Sequence, residues 1–340
     1  MNVTLISIDL AKNIFQVCGV NRACKPQFNR QIKQDKLLPL LIKHYPGITV
    51  AMEACGGSNS LGRTLEQHGF KVLLIPPNHV KPFVKGNKND RNDAFAIAEA
   101  AMRPNMRFVR PKTLEQTDLG IVHRIRERQI GARTTLINQL RGLLREYGIT
   151  IPKGIDVLRR ELPFILEDAQ NELTETARSE FHAMYEEWVA LDKLIDKHDK
   201  TMKSQAKQHS IAALAMTIRG VGVTIATASV AHMGDPSQYK NGRQYAACLG
   251  LVPKEFSSGG KQKLGGITKR GNQYLRKLLI QGAWSIIRHC EHSTDRLSVW
   301  VKQLIKRTTK HKAAVALANK LARILWAVSF YKVQYKSAGI

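Results

Sequence analysis

The 340-residue chain predicts an α/β N-terminal domain on a mixed five-stranded sheet, then a long helical coiled-coil arm, then a mainly α-helical C-terminal domain. Three observations predict it. Short β-rich runs alternate with amphipathic stretches over the first hundred residues. Long helical patterns follow up to about residue 207, and a strongly basic stretch fills the remainder. With 43% hydrophobic residues the chain can build more than one core. The expected domains are 1–112, 113–207 and 208–340.

Taken in order, VTLISIDL is a short apolar β-rich run, IFQVCGV a second, and RACKPQFNR closes a third, shorter strand. DKLLPLLIKHY is helical in pattern, with Pro39 a flaw near its start. ITVAMEA reads as a buried strand, SNSLGRTLEQHGF as a helix stopped by Gly69, and KVLLIPP as another strand. A Lys-rich loop, HVKPFVKGNK, leads to a helix that begins near Asn89 or Asp90. A three-stranded meander followed by helix–strand–helix–strand–helix is the order of a ribonuclease H-like domain, with helices on both faces of the sheet.

Thr113 to Tyr147 is helical, and Arg124, Arg126, Arg128, Arg133, Arg141 and Arg145 outnumber its acids, which favours phosphate contact. Pro152 and Pro163 mark a break. From 176 to 207, Phe181, Met184, Trp188, Leu191, Ile195 and Met202 recur near heptad spacing. That spacing fits either a self-associating coiled coil or a hairpin packed within one chain. The alternating signs of Asp192, Lys193, Asp196, Lys197, Asp199 and Lys200 favour self-association.

The net charge of +26 and pI near 10.1 point to a polyanionic partner, DNA or RNA before an anionic membrane. From Lys254 onward eighteen Lys and Arg face only Glu255, Glu291 and Asp295, a density suited to a phosphate backbone. No apolar stretch reads as a membrane span and no signal peptide is evident, so a soluble, cytoplasmic, nucleoid-associated protein is expected. The five cysteines are scattered without a CxxC pair and read as reduced thiols. His289 and His292 have ligand-like spacing but read as a polar helix face.

Four acids carry the chemistry. Asp9 and Glu53 each end an apolar strand, where either alone could have a structural role or a functional one. Asp90 and Asp93 are spaced i, i+3 and face the same way on a helix. Asp90 could serve as that helix's N-cap, which would leave Asp93 unexplained. Carboxylates gathered at one point repel unless a cation lies between them, so the set predicts Mg²⁺. Two such cations about 4 Å apart can clamp an in-line phosphoryl displacement.

Two further segments stand out. LAMTIRGVGVTIA resembles a helix–hairpin–helix, in which Gly220 and Gly222 permit a tight turn and expose helix-start amides to phosphate. A plain turn between packed helices is the alternative. SSGGKQKLGGITKRGN is too rich in Gly and Lys for a core element and reads as a mobile loop over backbone phosphates, with Lys254, Lys261, Lys263, Lys269 and Arg270 as contacts.

With IDLAK, MEACGG, KNDRNDAFAIAE, IRGVGVTIATASVAHMGD and YAACLGLVPKEFSSGGKQKLGGITKRGNQYLRKLLIQGA in the same order, the chain resembles the DEDD-type insertion-sequence transposases, the IS-one-ten/IS-eleven-eleven group, over nearly its whole length. The resemblance implies a RuvC-like N-terminal domain and a C-terminal domain with a nucleophilic serine. In GLVPKEFSSG this is Ser258, with Ser257 adjacent. It further implies a phosphoserine link to DNA, recombination of element with target DNA guided by a structured RNA, and dimers or tetramers. In these the serine of one chain serves the carboxylates of another. Two alternatives are a RuvC-like junction nuclease using water and a nucleic-acid-binding protein with a degenerate acidic site.

Overall fold

The computed structural model describes residues 3–86 and 89–336, so Asn87 and Lys88 of the expected Lys-rich loop lie outside the described residues. The chain divides into two compact units. One comprises the chain up to Thr117 with Met233–Tyr245, the other Asp118–His232 with the chain from Ala246 onward.

The first unit is built on strands β1 (Leu5–Asp9), β2 (Ile14–Val20), β3 (Pro26–Lys33), β4 (Thr49–Glu53) and β5 (Lys71–Ile75), in the spatial order β3-β2-β1-β4-β5. β1 pairs antiparallel with β2 and parallel with β4, so the sheet is mixed as expected. Helices α1 (Gln34–His44) and α2 (Ser58–Gln67) link the strands, and α3 (Pro77–Val80) is a single turn before α4 (Asp90–Ala101). Strand alternation divides the core. Ile6, Ile8, Val17, Val50 and Met52 pack with Leu37, Leu41 and Leu65 on the α1–α2 side. Leu5, Cys18, Val20 and Ala51 face α4, whose Ala94, Ala98 and Ala101 present small side chains that let the helix lie close to the sheet beside Ile97. Pro39 is tolerated inside α1. Within this unit Arg110 binds the Asp235 carboxylate, and its N–H donates to Gln238 Oε1 at 3.3 Å.

In the second unit α5 (Leu114–Glu146, which enters this unit at Asp118), α6 (Ile155–Glu167) and α7 (Glu175–Gln208) form one core from Leu136, Leu140, Leu144, Leu158, Leu162, Phe181 and Trp188. The pairs Arg126–Asp199 (2.8 Å) and Arg133–Asp192 (2.7 Å) run in opposite chain directions, so α5 and α7 are antiparallel. The heptad-like stripe of α7 is thus buried within one chain. This is the hairpin packed within one chain that the spacing also allowed, and Asp192 and Asp199 pair with this chain's own α5. Helix α6 fills the stretch read as a break, and its amphipathic Leu158 and Leu162 hold it in place despite Pro163.

The remaining elements are α8 (Ser210–Ala215), α9 (Val223–Met233), α10 (Gly242–Cys248), a β6–β7 hairpin (Pro253–Glu255, Leu264–Ile267), and α11 (Gln273–His289), α12 (Arg296–Arg307) and α13 (Lys310–Tyr331). Contrary to the sequence expectation, α13 is long and apolar enough to cross a membrane by length and composition. Its Ala314, Leu317, Leu321 and Leu325 are buried and it packs against α11, which is how a core helix behaves.

Candidate active site

Three segments of the first unit bring the four acids to one end of its sheet. β1 and β4 run parallel with Ile8 opposite Met52, so Asp9 and Glu53 follow side by side at the same sheet end. Two residues earlier on each strand, Ser7 and Ala51 face α4. By alternation Asp9 and Glu53 share that face. The Ser7 hydroxyl donates to the Ala94 carbonyl at 2.6 Å, which sets Asp93, one residue earlier on the helix, above Asp9.

The start of α4 is pinned separately. Asn89 is the N-cap, its side chain accepting from the Asn92 N–H at 2.8 Å. Capping therefore does not account for Asp90, which lies exposed in the first turn with Asp93. Asn29 of β3 donates to the Arg91 carbonyl at 2.9 Å, and Arg91 returns a bond to the Asn29 carbonyl at 3.2 Å. Gln16, opposite Asp9 on β2, reaches Asn29 Oδ1 at 2.5 Å. A polar chain thus runs from the strand beside Asp9 to the helix that carries Asp90 and Asp93.

The acids act on one another electrostatically. Partial burial pushes Asp9 up to about 6, and the negative fields of Asp93, Asp90 and Glu53 add to it, against a lowering bond from the Leu10 backbone. The Cys55 thiol is also pushed up, by burial first and then by Glu53 and Asp9. Among the described residues no three His, Cys, Asp or Glu side chains stand close enough to hold a metal ion, so the acids share a face without closing on a common point. Their chemistry fits a hard divalent cation: the donors are all carboxylate oxygens, and their repulsion falls on Asp9, where positive charge would relieve it.

Ser258 belongs to the second unit. It sits at the tip of the β6–β7 hairpin, where composition suggests a loop. Its carbonyl accepts from the Lys261 N–H at 3.0 Å, and Gly259 (φ 54°) and Gly260 (φ 74°) make the left-handed two-residue tip. Lys254 through Gly266 are all exposed. Ser257 is engaged: its hydroxyl donates to Glu255 Oε1 at 2.7 Å and accepts from the Lys263 N–H at 3.2 Å. Lys261 and Lys263 flank the tip, and Lys269 and Arg270 are exposed just beyond β7. The hairpin base is fixed by backbone contact. A Cβ on Gly271 would meet the Cys248 carbonyl oxygen at 1.8 Å, and buried Arg276 donates to the Leu249 carbonyl at 2.9 Å.

The other expected contacts divide. Arg124 and Arg128 are exposed on α5, whereas Arg133 is half-buried and paired with Asp192, which also binds Arg159. Gly220 takes φ 78°, and a Cβ there would meet Ile286 at 2.7 Å and the Gly282 carbonyl oxygen at 2.9 Å. Close packing on α11 thus explains that glycine without any ligand. Gly222 precedes α9 in open space. Sequence reading missed the Ser7 and Asn29 contacts that orient α4, because an isolated serine or asparagine in a strand carries no positional signal.

Two family models match the chain. The DEDD-type IS110 transposase model covers residues 6–149, which hold all four acids. The model described as transposase IS116/IS110/IS902 family covers 212–298, which hold Ser258. The chain is 42% identical to the transposase for insertion sequence element IS1111A of Coxiella burnetii, over 98% of this chain and 92% of that one. It is 40% identical to a probable family 20 transposase of Pseudomonas aeruginosa, over 99% of each. It is 37% identical to the IS1328 transposase of Yersinia enterocolitica, over 96% and 97%. The chain belongs to the IS110 family of insertion-sequence transposases.

Proposed function

We propose that this transposase cuts and rejoins DNA through a serine nucleophile, Ser258, with Asp9, Glu53, Asp90 and Asp93 holding Mg²⁺ on a RuvC-like, ribonuclease H-type sheet. The observation that carries the reading is the placement of Asp9 and Glu53 side by side at one end of β1 and β4, on the face that α4 covers with Asp90 and Asp93 in its first turn. A bound divalent cation would neutralise the charge that develops on the phosphoryl oxygens.

The chain's own residues supply the remainder. Ser258 Oγ attacks a backbone phosphorus, a serine–phosphate ester forms, and one P–O bond of the strand breaks. The serine proton leaves with solvent and the departing strand end gains one, becoming a hydroxyl. A second strand's hydroxyl reverses these steps, releases Ser258 and joins the new strand without an outside energy source. Ser257, tied to Glu255, holds the hairpin tip. Lys261 and Lys263 offer positive charge beside the reacting phosphate, as do Lys269, Arg270 and, on α5, Arg124 and Arg128 for the flanking backbone. In this reading domains 1–112, 113–207 and 208–340 act on element and target DNA in the cytoplasm beside the nucleoid. A structured guide RNA and a homodimer or homotetramer complete the assembly.

The test is a covalent adduct. Full-length protein, Mg²⁺, element-end DNA and its transcript should yield a protein–DNA species that survives denaturation, absent in Ser258→Ala and Asp9→Asn. Cut DNA with no adduct would support a water-using nuclease. Salt-sensitive binding without cutting would mean that the acidic site is degenerate.

A further inference from the structure

The C-terminal end of the second unit holds a feature that the strand-transfer chemistry does not use. A cavity of about 190 Å³ is lined by Arg296 and Leu297 at the start of α12, Lys320 on α13, and Tyr335. After α13 the chain turns at Lys332, which is left-handed at φ 53°, and runs back as a short strap. The Tyr335 N–H donates to Thr217 Oγ1 at 2.9 Å and fastens the strap where Tyr335 lines the cavity. Lys320 lies over the Trp300 ring with its ammonium 4.1 Å from the centroid, so one wall fixes its direction.

Burial pulls Lys320 below the usual lysine range, and Arg296 and Arg323 pull it further. Asp295, the residue before Arg296, is engaged. It caps α12 through the Leu297 and Ser298 N–H groups and binds the Arg219 guanidinium. Two cations lining a small pocket, Arg296 and Lys320, with the Tyr335 side chain beside them, match a tetrahedral dianion or a phosphodiester group.

We infer that Arg296, Lys320 and Tyr335 form a subsite for one backbone phosphate of a bound nucleic acid, separate from the Ser258 hairpin. Duplex DNA and folded RNA present the same group, so the experiment carries both. Full-length protein is titrated with a duplex DNA and with a hairpin RNA of equal nucleotide number across a salt series. Lys320→Gln and Arg296→Gln are compared with Lys312→Gln, an exposed charge on the same helix. Amine acylation of the wild-type protein, read by mass spectrometry, reports protection of Lys320 directly. The subsite predicts that Lys320→Gln makes the log–log salt slope shallower by about one and Lys320→Arg restores it, with protection of Lys320 by the same probe. An effect confined to DNA, or to RNA, assigns the phosphate to that nucleic acid. Equal labelling of Lys320 with and without either probe, in a protein that binds both, would overturn the subsite and leave the recombinase reading intact.

Discussion

The Ser7 hydroxyl lies 2.6 Å from the carbonyl of Ala94, and this bond sets the first turn of α4 over the end of β1. Ser7 is fully buried, so no water can replace its donor. Ser7→Ala should cost about 1 kcal/mol of stability in thermal or denaturant unfolding. It should also weaken divalent-ion binding, because Asp93 would lose its fixed position above Asp9. An unchanged metal affinity in a measurably destabilised Ser7→Ala protein would detach that bond from the site.

Asp9 gives a pH signature. Its folded carboxyl is raised to about 6, above the ordinary aspartate value, so the folded chain binds more protons than the unfolded chain between about 4 and 6. The metal-free first unit is therefore most favoured below that window and loses stability as pH rises through it. Asp9→Asn should raise the melting temperature of metal-free protein at neutral pH, and the advantage should vanish below about pH 4. Saturating Mg²⁺ should erase or reverse the gap in favour of the wild type.

Ser257 and Ser258 are adjacent but differently placed. Ser257 bonds Glu255 and the Lys263 amide, while Ser258 begins the glycine tip. Ser258→Ala should abolish adduct formation. Ser257→Ala should loosen the hairpin and slow the reaction roughly tenfold, an effect of about 1.4 kcal/mol on the barrier, while adducts still form. Adducts mapped by peptide sequencing to Ser257 would reverse the assignment.

The α5 arginines should separate by role. Arg133→Gln removes a half-buried ion pair with Asp192 and should destabilise the second unit by about 1–3 kcal/mol with little effect on the salt dependence of DNA binding. Arg124→Gln and Arg128→Gln should leave stability unchanged and make the salt slope shallower by about one each. All four tryptophans, Trp188, Trp284, Trp300 and Trp326, belong to the second unit, so intrinsic fluorescence reports its unfolding.

Much of the first unit was legible because β-strand alternation and helix caps are local. VTLISIDL, ITVAMEA and KVLLIPP became β1, β4 and β5, and the parallel pairing of β1 with β4 placed Asp9 beside Glu53. The partner of α7 was not legible. Heptad spacing states which face is buried and is silent on whether the cover is a second chain or, as found, α5 and α6. Nor could composition distinguish a loop from the β6–β7 hairpin, since a Gly-Gly tip flanked by lysines reads as either until Pro253 is seen opposite Ile267.

The central claim is that the acids of β1, β4 and α4 jointly bind a divalent ion. Mn²⁺ binding to the full-length chain, followed by electron paramagnetic resonance, tests it most directly. The account predicts tight binding in the wild type that is lost or weakened at least tenfold in each of Asp9→Asn, Glu53→Gln and Asp93→Asn. Wild-type affinity in the Asp9→Asn and Glu53→Gln proteins, both folded, would contradict it.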